Sequence, residues 1–448
     1  MSLLIHNITI FTNNEKNTVL NGHAVLIEGN RIEAIDEERV LNAQYPNAKK
    51  LDGQGRLLMP GLTNVHMHFY GTYARGLALS STPNNFHEIL QQLWWALDKV
   101  LDLDAVYYSA LIPAITAIKK GVTSIIDHHA SPNAIDGSLD RIEDALTMVG
   151  MRGILCYEVS DRGGKTIRDQ GLAENERYIR RCQAAKETNA NHMFDGMMGL
   201  HASFTLDDES LEKAASLSQA LGRGCHIHML EDQVDETLTQ QKYRRSVVER
   251  LNHFNILGKD SIAAHGIFVS DSDIELLAET DTIIAHQAQS NMNNAVGRAD
   301  VFKLLEHDLL VGIGTDGMTP DLRAEVRTGY LMHKHHLQDC NAGWTPYETM
   351  TLKHNPAIYQ RLSGHPIGQI KKGYLADLIL VDYFPPTPLS AENFWGHFLF
   401  GLVDADVDTT MINGKIVMQN KKLVDIDEIQ INQASTKTAQ QVWARFHR

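Results

Sequence analysis

The sequence is poor in cysteine and has no long apolar run. It holds four cysteines in 448 residues, and no two of them form a CxxC pair. A disulfide framework or a thiolate zinc site is therefore not expected, and the pattern fits a reducing compartment. No uncharged stretch is long enough to cross a bilayer, and the first residues lack the basic and apolar regions of a signal peptide. We therefore expect a cytoplasmic protein without a membrane partner.

Basic residues are also in the minority. Lys and Arg total 41 against 55 Asp and Glu, which gives a formal net charge of −14 at pH 7. An acidic chain is a poor partner for a polyanion, so this balance argues against binding to nucleic acid or to an anionic membrane surface. It leaves free bases and other small neutral rings open as ligands.

In the middle of the chain, short β-like runs alternate with helix-length segments. The β-like runs are the segment that ends at His66 and seven others, at 121–127, 152–159, 193–200, 224–229, 261–265, 282–286 and 310–316. Alternating β and α units predict a parallel sheet, and eight of them favour a closed barrel. We therefore predict an α/β fold with a (β/α)8 barrel of the TIM type over residues 58–365.

The two ends of the chain have a strand-and-turn pattern instead. Strand-like runs occupy residues 3–11, 23–28 and 31–35 near the beginning and 374–381, 409–412 and 415–418 near the end. Asn413-Gly414 predicts a hairpin turn between the last two runs. We predict that residues 1–57 and 366–425 form a small β-sandwich domain, and that residues 426–448 form a terminal helix packed on the surface.

Three His-x-His pairs are present, although spacing alone carries little weight. With 22 histidines in 448 positions, chance gives about one such pair. The three pairs are His66/His68, His226/His228 and His333/His335. On a strand, residues two apart point to the same side, so both imidazoles can reach one ion. The third pair falls in a predicted helix, where the two side chains diverge, and we expect it to face solvent.

Four predicted barrel strands end in a histidine or an aspartate, at the carboxyl ends where barrel enzymes keep their chemistry. These ends are VHMH with His66 and His68, HIHMLE with His228 and Glu231, AAHG with His265, and GIGTDG with Asp316. A buried aspartate after an apolar strand is costly unless it is paired or bound to a cation. Each residue alone could be a core histidine or a turn-capping aspartate, but the four ends together indicate a metal site.

These segments resemble the amidohydrolase superfamily. PGLTNVHMH, HIHMLE, AAHG, GIGTDG and KKGYLADLILVD together are similar to its cytosine/guanine/triazine deaminase and chlorohydrolase branch. GVTSIIDHHASPNAIDGSL, QSNMNNAVG and other segments are similar to the SsnA group of aminohydrolases, and that likeness covers nearly the whole chain. The stretch AHQAQSN keeps the Ser-Asn of the branch but departs from its His-Cys-Pro sequence, which weakens the transfer of a particular substrate.

The resemblance implies a role for each of these residues. The implied ligands of one divalent metal are His66, His68, His228 and Asp316. Glu231 matches a proton-shuttling carboxylate, and His265 matches a histidine that assists proton transfer, a task that Asp316 could share. Where two-metal members carry a bridging lysine, this chain reads MMGLHASFT, so one metal is expected and His201 should face the substrate. Zinc is the expected ion, with iron as the alternative.

Three further residues are candidates for the wall of the substrate pocket. His128 and His129 follow the second predicted barrel strand, and a purely structural role is the alternative for both. Arg75 could bind a carbonyl or carboxylate group of the substrate, or it could form a surface salt bridge. We keep Arg75, His129 and His201 as predicted substrate contacts.

The predicted reaction is hydrolytic deamination of a nitrogen heterocycle such as a purine or pyrimidine, with water as the second substrate. A metal lowers the pKa of bound water, and Glu231 can protonate the ring and the leaving amine. Hydrolysis of a cyclic amide, or release of chloride, at the same site is the alternative. A barrel that binds a metal or a protein without catalysis is a further alternative, but it has no need of Glu231 and His265. A homodimer is an expectation from the superfamily.

Overall fold

The middle of the chain forms two parallel sheets in the computed structural model, which describes residues 2–448. One sheet has the strand order Phe194–Gly196, Arg152–Tyr157, Val122–His129 and Leu62–Met67. The other has the order Met198–Ala202, Cys225–Met229, Ile262–His265, Ile283–His286 and Val311–Ile313. Every neighbouring pair is parallel. Each predicted β run overlaps one or two of these strands, so the α/β class with parallel sheets is confirmed.

Backbone hydrogen bonds also join the two parallel sheets at both of their edges. At one edge the Asp316 amide donates to the His66 carbonyl at 3.0 Å, and the His68 amide donates to the Asp316 carbonyl at 3.1 Å. At the other edge the Val159 amide donates to the Gly199 carbonyl at 3.1 Å. The strand that carries His66 and His68 is therefore fixed beside the segment that carries Asp316.

Helices connect and cover the parallel strands, whose residues are buried on both faces. The α-helices of this part are Phe86–Ile89, Trp95–Asp98, Leu103–Lys119, Ser138–Val149, Lys165–Thr188, Asp208–Leu221, Gln233–Tyr243, Val247–His253, Asp271–Glu279, Ala288–Asn293, Val301–Glu306, Leu322–Leu337, Trp344–Glu348 and Asn355–Ser363. A π-helical turn at Leu90–Trp94 separates the first two.

Strands from the two ends of the chain share one seven-stranded sheet. Its order is Lys422–Leu423, Lys415–Gln419, Val407–Ile412, Leu378–Val381, Leu57–Pro60, Thr9–Phe11 and Val19–Asn21. A four-stranded sheet has the order Arg31–Glu37, His23–Glu28, Ser2–His6 and Lys49–Asp52, and the helix Glu38–Gln44 follows the first of these strands. Asn413 and Gly414, with φ of 51° and 74°, form the predicted hairpin turn. The predicted strand over 3–11 is split, because Asn7 is left-handed with φ of 53°.

The last helix, Glu428–Phe446, lies within the predicted terminal segment, packs against Leu103–Lys119 and buries Ile431 and Val442. Within residues 2–448, no single helix has the length and the apolar composition needed to cross a membrane. In this range only the pair Phe86–Asp98 and Leu103–Lys119, bent by 111°, meets those criteria together.

The expectation that the third His-x-His pair faces solvent is wrong for His333. His333 is fully buried, with Nε2 3.2 Å from the Ala299 carbonyl oxygen and Nδ1 2.9 Å from the Tyr347 hydroxyl. His335 is exposed. The two side chains diverge as helix geometry requires, but one of them points to polar partners in the core.

Candidate active site

The four predicted metal ligands lie together at the carboxyl ends of the parallel strands. His68 Nε2 lies 3.0 Å from His228 Nε2 and 3.1 Å from Asp316 Oδ1. His66 Nε2 lies 3.8 Å from the same Asp316 oxygen. These residues are separated by up to 250 positions in the sequence, and the parallel pairing of their strands brings them to one edge.

A glycine allows the segment that carries Asp316 to approach the first strand. A Cβ at Gly314 would lie 2.5 Å from the His66 carbonyl oxygen, so any larger residue there would force the two backbones apart. Two residues later, Asp316 adopts a left-handed conformation with φ of 55°, which ends the strand. The GIGTDG sequence thus meets a backbone requirement as well as supplying a carboxylate.

Hydrogen bonds on the far side of the rings decide which nitrogen His68 and His265 present to the site. His68 Nδ1 lies 2.6 Å from the His128 carbonyl oxygen, and because a carbonyl only accepts, Nδ1 carries the proton. His265 Nδ1 likewise lies 2.9 Å from the Asn291 side-chain oxygen. The Nε2 atom of each ring therefore presents a lone pair, and such partners are typical of histidines that bind metal.

His66 is oriented by another histidine, His226. Nδ1 of His66 and Nε2 of His226 lie 2.8 Å apart. The Cys156 thiol donates to the Asp127 carbonyl, so its sulfur is free to accept from His226 Nδ1 at 3.9 Å. His226 Nε2 then accepts from His66 Nδ1. His66 Nε2, which has no hydrogen-bond partner among residues 2–448, presents its lone pair to the site.

The charges at the site favour a bound cation. Burial acts to raise the pKa of Asp316, but the hydrogen bond and charge of His68 outweigh it and hold this pKa well below its usual value. Burial acts to lower the pKa of His68, and Asp316 outweighs it and raises this pKa to about 9 when no cation is bound. A bound cation would take the place of that proton. Three imidazole lone pairs and one carboxylate are a donor set for a divalent metal such as zinc or iron, so these residues fit one.

Glu231 and His265 lie beside the ligands in position to move protons. His265 Nε2 lies 3.5 Å from Glu231 Oε2 and 3.8 Å from Asp316 Oδ2. Asn294 donates a hydrogen bond to Glu231 Oε1 at 3.3 Å. Burial first, and the nearby Asp316 second, hold the pKa of Glu231 well above its usual value. A carboxyl group kept protonated beside a reaction site can act as a general acid.

A cleft opens at these residues. Its polar wall includes His68, Glu158, His201, His228, Glu231, Ser290, Asn294 and Asp316, and its apolar wall includes Tyr70, Phe86, Leu90, Trp94 and Trp95. A lining of convergent polar groups and aromatic rings is typical of a site for one small molecule, and the aromatic side chains offer surfaces for a flat ring.

The three predicted substrate contacts lie in different places. His201 lines the cleft. His129 is fully buried, with Nε2 2.9 Å from the Ser131 hydroxyl, and Arg75 is exposed. Neither of these two is among the residues, within 2–448, that line the cleft. The roles of all three in substrate binding stay predictions.

Glu158, which sequence reasoning missed, also lies in the wall of the cleft. It is 4% exposed, with Oε2 3.3 Å from His128 Nδ1 and Oε1 3.7 Å from Arg162 Nη2. Burial acts to raise its pKa, but His201, His128 and Arg162 outweigh burial and hold the pKa at about 2. The signal that identified Asp316, a carboxylate just after an apolar strand, could have found this residue as well.

Comparison with known sequences shows the family of this chain. The amidohydrolase family model matches residues 57–417. The 5'-deoxyadenosine deaminase of Methanosarcina mazei is 30% identical over 401 residues, which cover 89% of each chain. The 5-methylthioadenosine/S-adenosylhomocysteine deaminase of Thermococcus sibiricus is 28% identical over 398 residues, which cover 88% of this chain and 89% of that one.

Solved structures share the fold. An adenosine deaminase from Xanthomonas campestris with bound zinc has a TM-score of 0.82 at 22% identity, covering 99% of this chain and 98% of that one. Atrazine chlorohydrolase from Arthrobacter aurescens with zinc has a TM-score of 0.77 at 18% identity, covering 98% and 100%. The chain belongs to the amidohydrolase family. The predicted superfamily and the aminohydrolase class are confirmed, while the closer likeness to the SsnA group stays a prediction.

The contact between His66 and His226 leads to a prediction about metal affinity. Replacing His226 by phenylalanine keeps a flat aromatic ring but removes the acceptor for His66 Nδ1, so we expect metal to bind roughly 10- to 100-fold more weakly. Competition with a chromophoric chelator measures this affinity. His333→Phe, a buried histidine away from the ligands, is the matched control and should leave the affinity unchanged. Equal affinities of wild type and His226→Phe would contradict the prediction.

Proposed function

We propose that the protein removes an amino group by hydrolysis from a purine- or pyrimidine-like heterocycle, with one divalent metal ion, zinc or alternatively iron. The observation that carries this proposal is the buried Glu231, whose pKa is raised by burial, beside a set of three histidines and an aspartate. An amine leaves easily only when it is protonated, and a carboxyl group with a raised pKa is suited to supply that proton. The two curated relatives named above support the proposal, since both are deaminases of adenosine derivatives by name.

Each residue of the site would have a separate role in the reaction. The metal would be held by His66, His68, His228 and Asp316. When bound, a divalent metal supplies a Lewis acid that makes water a nucleophile near neutral pH. His265 Nε2 and Asp316 Oδ2, which lie 3.8 Å apart, would take the proton from the attacking water. Glu231 would give its proton to the ring nitrogen next to the reacting carbon, and would then take the remaining proton of the attacking water and carry it to the leaving amine. His201 and the aromatic wall would hold the ring.

We further propose that the two parallel sheets form one closed (β/α)8 barrel. The hydrogen bonds at both sheet edges support this closure, and the count is eight if Phe194–Gly196 and Met198–Ala202 are one strand interrupted at Met197. The shared seven-stranded sheet supports a β-sandwich domain from residues 1–57 and 366–425. A cytoplasmic location and a homodimer stay predictions from the sequence.

Removal of the metal tests the chemistry. Metal-replete protein should release ammonia from at least one member of a panel of adenosine, 5'-deoxyadenosine, guanine, cytosine and isocytosine. Treatment with a chelator should reduce the release to the level of the buffer blank, and zinc or ferrous iron should restore it, because the metal supplies the nucleophile. A coupled glutamate dehydrogenase assay measures the ammonia.

The same panel separates deamination from the alternative reactions. Opened-ring products from cyclic amides, or chloride from a chlorinated triazine, would favour the alternative that shares this site, as the fold of the chlorohydrolase allows. If metal-replete protein releases no ammonia from any member of the panel, the proposed deamination of these ring classes is wrong.

A further inference from the structure

The proposed chemistry does not use the buried carboxyl group of Glu325. This side chain is 1% exposed and lies in the first turn of the helix Leu322–Leu337. Its Oε1 accepts a hydrogen bond from the Gln289 amide at 3.0 Å, and its Oε2 makes no hydrogen bond to any residue within 2–448. Burial of a carboxyl group costs free energy unless a partner compensates it. The contact with the Gln289 amide is therefore the feature that accounts for this side chain.

That contact fixes the beginning of a short helix, Ala288–Asn293. The short helix follows the parallel strand Ile283–His286 and packs against the helix that carries Glu325. The first amides of a helix have no acceptor within the helix itself. In the described chain the N-cap residue, Gln287, makes no capping hydrogen bond through its side chain. Glu325 therefore supplies, from a neighbouring helix, an acceptor that the short helix does not supply for itself.

Two asparagines of this element contact the two groups assigned to proton transfer. Asn291 Oδ1 lies 2.9 Å from His265 Nδ1. Asn294, the C-terminal cap of the short helix, donates to Glu231 Oε1 at 3.3 Å. Since both asparagines belong to one short element, a shift of its first turn would displace both contacts together.

The hold on the short helix depends on an acceptor atom more than on charge. Burial raises the pKa of Glu325 to about 8, although the hydrogen bonds from the Gln289 and Ala288 amides act to lower it. A carboxylate and a carboxylic acid both have an oxygen that accepts from an amide, and so does the side chain of glutamine. A glutamine at this position should therefore hold the short helix, whereas an apolar side chain should not.

We propose that Glu325 is a positioning residue of the reaction. It holds the short helix in the place from which the two asparagines contact His265 and Glu231. This inference rests on the proposed function, which gives His265 and Glu231 their roles in proton transfer. Within residues 2–448, Glu325 is not part of the cleft lining, so it acts through the short helix and not on the substrate.

Two substitutions of Glu325 test the proposal by steady-state kinetics on zinc-loaded full-length protein with the best substrate of the panel. Glu325→Met keeps most of the side-chain length but has only a weakly accepting sulfur. We expect kcat to fall at least roughly ten-fold, because small displacements of reacting groups are costly, while KM changes less than about three-fold. Glu325→Gln, which keeps an accepting oxygen, should retain kcat within about three-fold of wild type.

Glu174 offers a matched control, because it caps another helix in the same way. The Leu139 amide, at the second position of the helix Ser138–Val149, donates to Glu174 Oε1 at 3.1 Å, and Glu174 is 2% exposed. Gln289 occupies the same position in the short helix. Among the residues that the structure describes, none of Ser138–Val149 lines the cleft. Glu174→Met should therefore leave kcat within about two-fold of wild type.

Amide hydrogen exchange, measured by mass spectrometry, tests the hold on the short helix without turnover. Peptides that cover residues 287–294 should exchange at least roughly ten-fold faster in Glu325→Met, because the loss of one buried hydrogen bond is worth about that factor. The same peptides should exchange at the wild-type rate in Glu325→Gln and in Glu174→Met. If Glu325→Met does not fold by circular dichroism, Glu325→Asp, one methylene shorter, replaces it with the same expected changes.

Unchanged exchange or unchanged kcat in Glu325→Met would overturn the proposal, and so would an equal loss of kcat in Glu325→Gln or in Glu174→Met. In wild type that releases ammonia, any of these results would contradict this inference alone. Faster exchange at residues 287–294 of Glu325→Met, in a protein that releases no ammonia from the panel, would contradict the proposed function alone.

Discussion

Replacing Glu231 by glutamine is expected to lower the rate of ammonia release by roughly 10²- to 10⁴-fold while the metal stays bound. Glutamine has the size of the carboxyl group and can keep a contact with Asn294, but it cannot give up a proton. The loss should appear in kcat, because protonation of the ring and of the amine belongs to the chemical step. Steady-state kinetics on the best substrate of the panel, with metal content by mass spectrometry, measures both quantities.

Glu275→Gln is a matched control for this substitution. Glu275 lies in the helix Asp271–Glu279 and is exposed, so its replacement should leave both the rate and the metal content unchanged. Full turnover by Glu231→Gln would contradict the proposed role of Glu231 as the general acid. Loss of the metal together with the rate would show instead that Glu231 supports the ligands.

Replacing Asp377 by alanine is expected to lower the free energy of unfolding by about 3–5 kcal/mol, because it leaves a buried guanidinium without a partner. Arg152 Nε and Nη2 donate to the two oxygens of Asp377 at 2.5 and 3.0 Å, and both residues are at most 1% exposed. The amide of Asn413 donates to the same carboxylate at 2.7 Å. Urea unfolding followed by far-UV circular dichroism measures the change.

The control for this prediction is an ion pair of the same type at the surface. Arg327 Nη1 lies 2.7 Å from Asp404 Oδ2, and the two side chains are 37% and 66% exposed. Water solvates either partner when the other is removed, so Asp404→Ala should cost less than about 1 kcal/mol. Equal losses in Asp377→Ala and Asp404→Ala would mean that burial does not decide the effect.

Arg152 begins a strand of one parallel sheet and Asp377 precedes a strand of the seven-stranded sheet, so the buried pair Arg152–Asp377 links these two sheets.

Much of the site could be predicted because its residues follow apolar strands. His68, His228 and Asp316 each come at or just after such a run, and parallel strands bring their carboxyl ends to one edge. Glu158 follows a strand in the same way, but it has no short motif around it. Its contacts with Arg162, His128 and His201 can be identified only when three strands are placed side by side.

Other features depend on contacts that no local pattern encodes. His333 is buried because its two ring nitrogens find polar partners there. These partners are the Ala299 carbonyl and the Tyr347 hydroxyl, which belong to other segments of the chain. The split of the first strand at Asn7 depends on one left-handed residue, which an alternating pattern does not reveal. Arg75 was a candidate for substrate binding from its sequence context. Its side chain is exposed and does not line the cleft.

The sequence His226-Ile227-His228 places two histidines with different roles on one strand. His228 faces the metal position, and His226 steers His66, a ligand encoded 160 positions earlier. A homologue could therefore keep every ligand and still hold its ion poorly if it had lost His226. The first histidine of this tripeptide is as informative about metal retention as the second.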